Sequence, residues 1–332
     1  MSRWKYSRTR VIANVAICLV IIALSLTVII YRQFVKDQIT VWSFQSTSEI
    51  DALVDRAGMN DYGKFMYHAS QPSLDATQNF NNECDRVENT TSILGCYSNY
   101  RIYIYDVTDV QLDGIREVTA THETLHAVYA RMSSDEKSKI DVLLEAEYKK
   151  LESDTDYSDR MAFYARTEPG ERDNELHSVI GTEISVISPD LETYYSKYFT
   201  DRQKVVALNT KYISVFKNLQ NHADELSQQL NSLASSIPIK TSQYNSSVIA
   251  LNSDIVSFNQ RADSNGFTSQ AQFNSERTAL SVRVAELDTI RAGINDDIAS
   301  YSSILAEYNS IASESKKLYN SIDSTLAPAP SV

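Results

Sequence analysis

The sequence predicts a mainly α protein: an α+β unit with a small sheet, an N-terminal transmembrane helix before it and a long antiparallel coiled-coil hairpin after it. Three observations predict this. The 332 residues include only 8 Gly and 6 Pro, too few turn formers for a many-stranded sandwich or barrel. Residues 11–31 carry no charge. From residue 202 onward apolar residues recur every seven positions. Lys and Arg total 31 against 43 Asp and Glu, a formal −12, which argues against a nucleic-acid binder because phosphates need a basic face. With 42% hydrophobic and 22% charged residues, wholesale disorder is also disfavoured.

Residues 1–10 read as a cytoplasmic tail carrying Arg3, Lys5, Arg8 and Arg10 without an acid. The run 11–31 is long enough at 1.5 Å per residue to cover a bilayer core of about 30 Å. A cleaved signal peptide needs a shorter apolar core and a small-residue cleavage site, and Ile29, Ile30, Tyr31 and Arg32 offer none. The expectation is a single-pass cell-membrane protein, its N-terminus cytoplasmic and the bulk of the chain extracytoplasmic. Cys18 lies inside the anchor, which leaves Cys84 and Cys96 as a predicted disulfide where oxidation is allowed.

Residues 32–61 are weakly periodic and read as a stalk leading into a unit over 62–200. Tyr100 to Val107 is the clearest strand, with Ile102 and Ile104 on one face and Tyr103, Tyr105 and Val107 on the other. A helix follows from about Ile115 to Met132, with Asp113 as its N-cap. Ser133 or Ser134, with Asp135 and Glu136, restarts a helix to about Leu151. Further helices are expected over 172–185 and 189–199.

The hairpin spans 201–326. Phe216, Ala223, Leu230, Ile237, Tyr244, Leu251 and Phe258 are spaced by seven. Their companions are Leu219, Leu226 and Leu233 before Pro238 and Val248, Ile255 and Ala262 after it, so the seam shifts by one residue where Pro238 kinks the helix. Asn265 and Gly266 mark the turn. The return seam is Val284, Ile298, Leu305, Ala312, Tyr319 and Leu326 with Leu287, Ile294, Tyr301, Tyr308 and Ile322. A three-helix bundle folding back at Pro238 stays open as the alternative. Residues 327–332 read as a disordered tail.

Inside the 115–132 helix stands His122-Glu123-Thr124-Leu125-His126, the HExxH pattern. The i, i+4 spacing places both imidazoles on one helical face, able to bite one tetrahedral Zn²⁺. Glu123 projects beside the open position, where it can take a proton from the water that the metal acidifies toward pKa about 7. His122, Glu123 and His126 therefore point to metal-assisted hydrolysis of a peptide or protein substrate.

On this motif the chain resembles the zincin metallopeptidases over roughly residues 62–200. The resemblance implies an HExxH helix beneath a sheet whose edge strand pairs with extended substrate, a place that Tyr100–Val107 is expected to fill. The metzincin pattern would need Gly at Tyr129 and His at Met132, so the chain is more similar to the gluzincin branch, in which a Glu on a later helix completes the ligand set. That implies a third ligand in 171–183. Glu175 and Glu183 lie within about 80° of each other on a helix, and either can face the metal. Glu175 is preferred, with Glu183 open, and with His177 open as a third imidazole or a donor steadying the oxyanion.

His68 and His222 have no nearby Cys or His and read as surface or core-edge residues. Tyr194, Tyr195 and Tyr198 read as packing residues; one of them or Tyr164 is a candidate donor to a tetrahedral intermediate. Asn89 and Asn245 begin glycosylation acceptor triplets, relevant only in a glycosylating host. Together these features give a membrane-anchored zinc metallopeptidase, with a partner helix or a second copy on its coiled coil. The rival is a non-catalytic cell-surface spacer or adhesin with a degenerate zincin-like domain.

Overall fold

A computed structural model of the chain describes residues 8–84, 93–167 and 169–324. Asn89, Leu326, residues 1–7 and the tail 327–332 lie outside them. The described residues are mainly helical with a small three-stranded sheet. In chain order the elements are α1 (Arg8–Ile30), α2 (Arg32–Ser43), α3 (Ser48–Arg56), α4 (Asp61–His68), β1 (Ser73–Asp75), α5 (Thr77–Glu83), β2 (Gly95–Ser98), β3 (Arg101–Tyr105) and a 3-10 turn, Val110–Leu112. There follow α6 (Ile115–Arg131), α7 (Ser134–Leu151), α8 (Thr155–Thr167), α9 (Arg172–Glu183), α10 (Pro189–Tyr195), α11 (Gln203–Asp263) and α12 (Gln270–Ile322). Two compact units emerge, Met1–Val215 with Leu318–Val332, and Phe216–Lys317.

The apolar run 11–31 coincides with α1, whose described side chains are exposed. Among the described residues no single helix is long and apolar enough to cross a membrane. Ile12–Thr27 and Arg32–Ser43 pass that test only together, at 78° to each other. The expected lone span is thus interrupted, because the chain leaves helical geometry at Tyr31 (φ −99°, ψ 20°) and restarts at Arg32.

The 32–61 segment is not a stalk. Leu53, Val54, Ala57 and Met59 belong to the main hydrophobic core, so α3 and its exit supply apolar surface that the unit needs. In α2, Asp37 is buried against Arg131 at the end of α6, accepting from Nε and Nη2 at 3.1 Å each. Arg131 also donates to the Tyr97 hydroxyl and the Ala127 carbonyl, both at 3.0 Å. Removing one member of a buried, hydrogen-bonded pair strands the other charge. Asp37→Ala is therefore expected to destabilise the unit by about 3–5 kcal/mol, read as a lower Tm. A loss below about 0.5 kcal/mol would mean that α2 is detached in solution.

The sheet has the order β1-β3-β2, β1 parallel and β2 antiparallel to β3. Ile102 and Ile104 enter the main core, while Tyr103 packs with Phe80 and Cys84 on the opposite face, as the alternation predicts. The strand starts at Arg101 rather than Tyr100, because Asn99 (φ 51°) and Tyr100 (φ 65°) form a two-residue hairpin turn with both residues left-handed. The strand expected at the sheet's edge is the central one, and β2 is an outer strand. Cys84 and Cys96 form a disulfide that ties β2 to the end of α5.

Burial surrounds α6, and its polar residues are accommodated locally. Thr119, Thr121 and Thr124 donate to the carbonyls four residues back, at 2.8, 2.8 and 2.6 Å. Gly114 (φ 107°), not Asp113, occupies the N-cap, and the Asp113 side chain instead meets Arg56 and Lys211. Ser133 and Glu136 form a reciprocal capping box on α7. The helix α8 was not legible in the sequence. A Cβ at Gly181 would lie 2.4 Å from Leu125 Cδ1, so glycine permits the close crossing of α9 on α6.

In the second unit, α11 and α12 pack together as a hairpin. Helix α11 runs through Pro238, which is exposed, so the carbonyl that its ring leaves without a donor can face solvent; the three-helix alternative does not form. Lys240–Asp297 and Arg283–Asp254, both at 2.6 Å, and Arg261–Glu276 hold one antiparallel register. Phe258, Phe267 and Phe273 close the tip. Every position of the predicted α11 seam is buried or half-buried. On α12 the Leu287, Ile294, Tyr301, Tyr308 and Ile322 column turns inward, but the Val284, Ile298, Leu305, Ala312 and Tyr319 column faces outward. Ile304, Ile311 and Leu318 replace it, one residue earlier.

Candidate metal centre

Helix α6 sets His122 and His126 one turn apart, with ring centroids 4.7 Å apart and planes at 78°. Their side chains are 15% and 9% exposed, so the pair is largely but not wholly shielded from solvent. Glu123 is buried, and the ligand-type atoms of His122, Glu123 and His126 lie within 4.8 Å of one another. A Cβ at Gly95 would meet Glu123 Cγ and Oε1 at 2.8 Å, so the β2 backbone lies directly against this carboxylate.

Glu175 enters from the first turn of α9, where the helix dipole favours a carboxylate. Its Oε1 is 3.4 Å from His126 Nε2 and its Oε2 is 3.7 Å from His122 Nε2. Oε2 is buried and has no hydrogen-bond partner among the described residues. Three ligands held tetrahedrally at 2.0–2.1 Å from one Zn²⁺ stand about 3.4 Å apart. The donor types, the two carboxylate–imidazole distances and the orphaned oxygen suit a divalent metal ion.

A second layer fixes the ligands. Asn174 Nδ2 donates to Glu171 Oε2 at 3.0 Å, which sets the amide so that Oδ1 accepts from His126 Nδ1 at 2.9 Å. Nδ1 then donates to Asn174, and with an ion bound the Nε2 lone pair would face it. Ser178 Oγ lies 3.2 Å from the same Nδ1. Sequence reasoning missed Asn174, Ser178 and Gly95. One signal was available: Asn174 and Ser178 are four apart on α9, the same one-face spacing as the two histidines. Asn174→Ala is expected to weaken zinc affinity about 10–100-fold in a chelator competition. Unchanged affinity would show that the bond plays no part in orienting His126.

The electrostatics follow from burial among opposite charges. Burial opposes a proton on His122, yet the Glu175 carboxylate 3.7 Å away and the charges of Glu123 and Glu183 outweigh it, lifting its pKa to about 9. Burial raises Glu123 above the usual carboxylate value, against the pull of His126 and His122. Burial also works against the Glu175 carboxylate, but His126 and His122 hold it below its ordinary value. Burial beside Glu175 and Glu183 raises the pKa of the Tyr164 hydroxyl well above the usual value.

The other candidates are engaged elsewhere. Glu183 pairs with Arg160. His177 is fully buried, its Nε2 2.7 Å from the Tyr194 hydroxyl and its Nδ1 without a hydrogen-bond partner among the described residues, and burial with His126 nearby pushes its pKa down to about 3. Tyr195 donates to the His177 carbonyl at 2.7 Å and Tyr198 stacks on Tyr62. His68 and His222 meet Asp51 and Glu307. Against known proteins, the chain matches no family model, no curated protein and no solved structure.

Proposed function

We propose that the chain is a membrane-anchored, zinc-dependent metallopeptidase of zincin type, acting outside the cytoplasm on peptide bonds. The observation that carries this reading is the convergence on the HExxH histidines of Glu175, from a helix remote in sequence. His122, His126 and Glu175 would hold the ion, and Glu123 stands beside it. When bound, zinc supplies a Lewis acid that lowers the pKa of water toward about 7 and polarises the scissile carbonyl. Glu123 takes the proton of the attacking water and passes it to the leaving amine. Tyr164, from α8, would donate toward the developing oxyanion.

The sheet supports an extended substrate. Leu94 accepts from Tyr105 N at 2.8 Å and Cys96 pairs with Tyr103, so in the alternation of an antiparallel ladder Gly95 and Tyr97 turn their backbone groups away from β3. Those groups can pair with a strand laid beside β2, next to Glu123. The anchor reading rests on the exposed apolar side chains of α1, on the basic residues before it and on a disulfide that suits an oxidising compartment.

The test is hydrolysis of unfolded proteins by the full chain in detergent, over a range of pH, before and after chelation. Cleavage lost on chelation and restored by zinc is expected. Bound zinc without hydrolysis would instead leave a non-catalytic cell-surface spacer or adhesin.

A further inference from the structure

Helix α12 is apolar on three heptad columns, whereas its pairing with α11 covers two. Leu287, Ile294, Tyr301 and Tyr308 form one covered column, and Ile304 and Ile311 the other, which opens to solvent at Ile290. The third, Val284, Ile298, Leu305 and Ala312, with Arg291 in the remaining place, is exposed, its three large apolar members by 44%, 46% and 38%. It lies roughly 80° round the helix from the seam, so a partner can pack on it without displacing α11. A two-stranded coil needs two apolar columns, and a third beside them is the pattern of a helix in a larger bundle. Consistent with an open core, Leu226, Leu251, Phe258, Ile294 and Ile311 are the buried apolar residues of this unit among those described.

The polar column beside the exposed one identifies the partner. Asp288, Asn295, Ser302, Asn309 and Lys316 follow one another at heptad spacing, each four residues beyond a member of the exposed column. Their order is symmetric in polarity about Ser302: amides flank the serine, and the two ends carry opposite charges. An antiparallel copy of the same helix sets Asp288 near Lys316 at both ends and Ser302 near its own counterpart. It also puts Arg291, in the apolar column, near the small Ala312. A parallel copy would stack like charges at each end, which is unfavourable. Asp288 now contacts Arg291 of its own helix at 3.0 Å, with both side chains largely exposed and open to a further partner.

We propose that the Val284–Ala312 column of α12 is the face on which two copies of this chain associate, antiparallel, their hairpins forming a four-helix bundle. Sedimentation of the full chain in detergent should give a dimer. Ile298→Asp with Leu305→Asp should make it monomeric with helicity unchanged by circular dichroism. Asp288→Lys should weaken the dimer about tenfold, and Lys316→Asp in the same chain should restore it. In a Cys18→Ser background, Ser302→Cys should cross-link to itself on mild oxidation and Val284→Cys should not. A monomeric parent, a dimer that survives the double aspartate substitution, or self-cross-linking of Val284→Cys in place of Ser302→Cys would overturn the proposal.

Discussion

Glu123→Gln should keep the parent's zinc content and lose about 10²–10⁴-fold in hydrolysis, the range contributed by a positioned general base. Glutamine preserves the shape that fits beneath Gly95, where Glu123 Oε1 would stand 2.8 Å from a Cβ. It cannot accept the proton of the attacking water. The substitution also separates two roles that the geometry brings close, since Glu123 lies within ligand range of both histidines. If Glu123 were a ligand instead, zinc and activity would fall together. A variant that cleaves at the parent rate would remove Glu123 from the mechanism.

His126→Ala should lose both metal and cleavage, and by more than the 10–100-fold in affinity expected for Asn174→Ala. His126 is the better supported imidazole, with Asn174 at 2.9 Å and Ser178 at 3.2 Å on its far nitrogen. Its removal leaves Glu175 buried with only His122 to balance it, so the apo variant should also unfold at a lower temperature. Zinc affinity measured by chelator competition, beside thermal unfolding, reads both effects. Retained zinc at parental affinity would show that the ion, if bound, sits elsewhere.

Much of this architecture was legible because it depends on local periodicity. The α11 seam keeps one heptad column from Phe216 to Phe258, its companion column shifting by one residue at Pro238, and α6 and α7 begin close to their sequence signals. On α12 the phase was ambiguous, since Ile304-Leu305, Ile311-Ala312 and Leu318-Tyr319 offer apolar neighbours that differ by about 100° of rotation. Only packing selects the first of each pair. The role of 32–61 was not legible because the partners of Leu53 and Asp37 lie far along the chain, and Arg131 looks in sequence like an ordinary helix-end cation. Strands β1 and β2 are three and four residues long, too short for alternation to register. At the site, the His122–His126 spacing is a local fact, whereas the choice among Glu175, Glu183 and His177 depends on how α9 crosses α6. The crossing engages Glu183 with Arg160 and His177 with Tyr194, and leaves Glu175 facing both imidazoles.

If α6 and α9 together build one zinc site, metal content per chain reads it most directly. After zinc loading and removal of excess, the full chain should hold about one zinc, as should Glu183→Ala, while Glu175→Ala should hold none. An absence of zinc in the parent, or its loss from Glu183→Ala but not Glu175→Ala, would contradict the account.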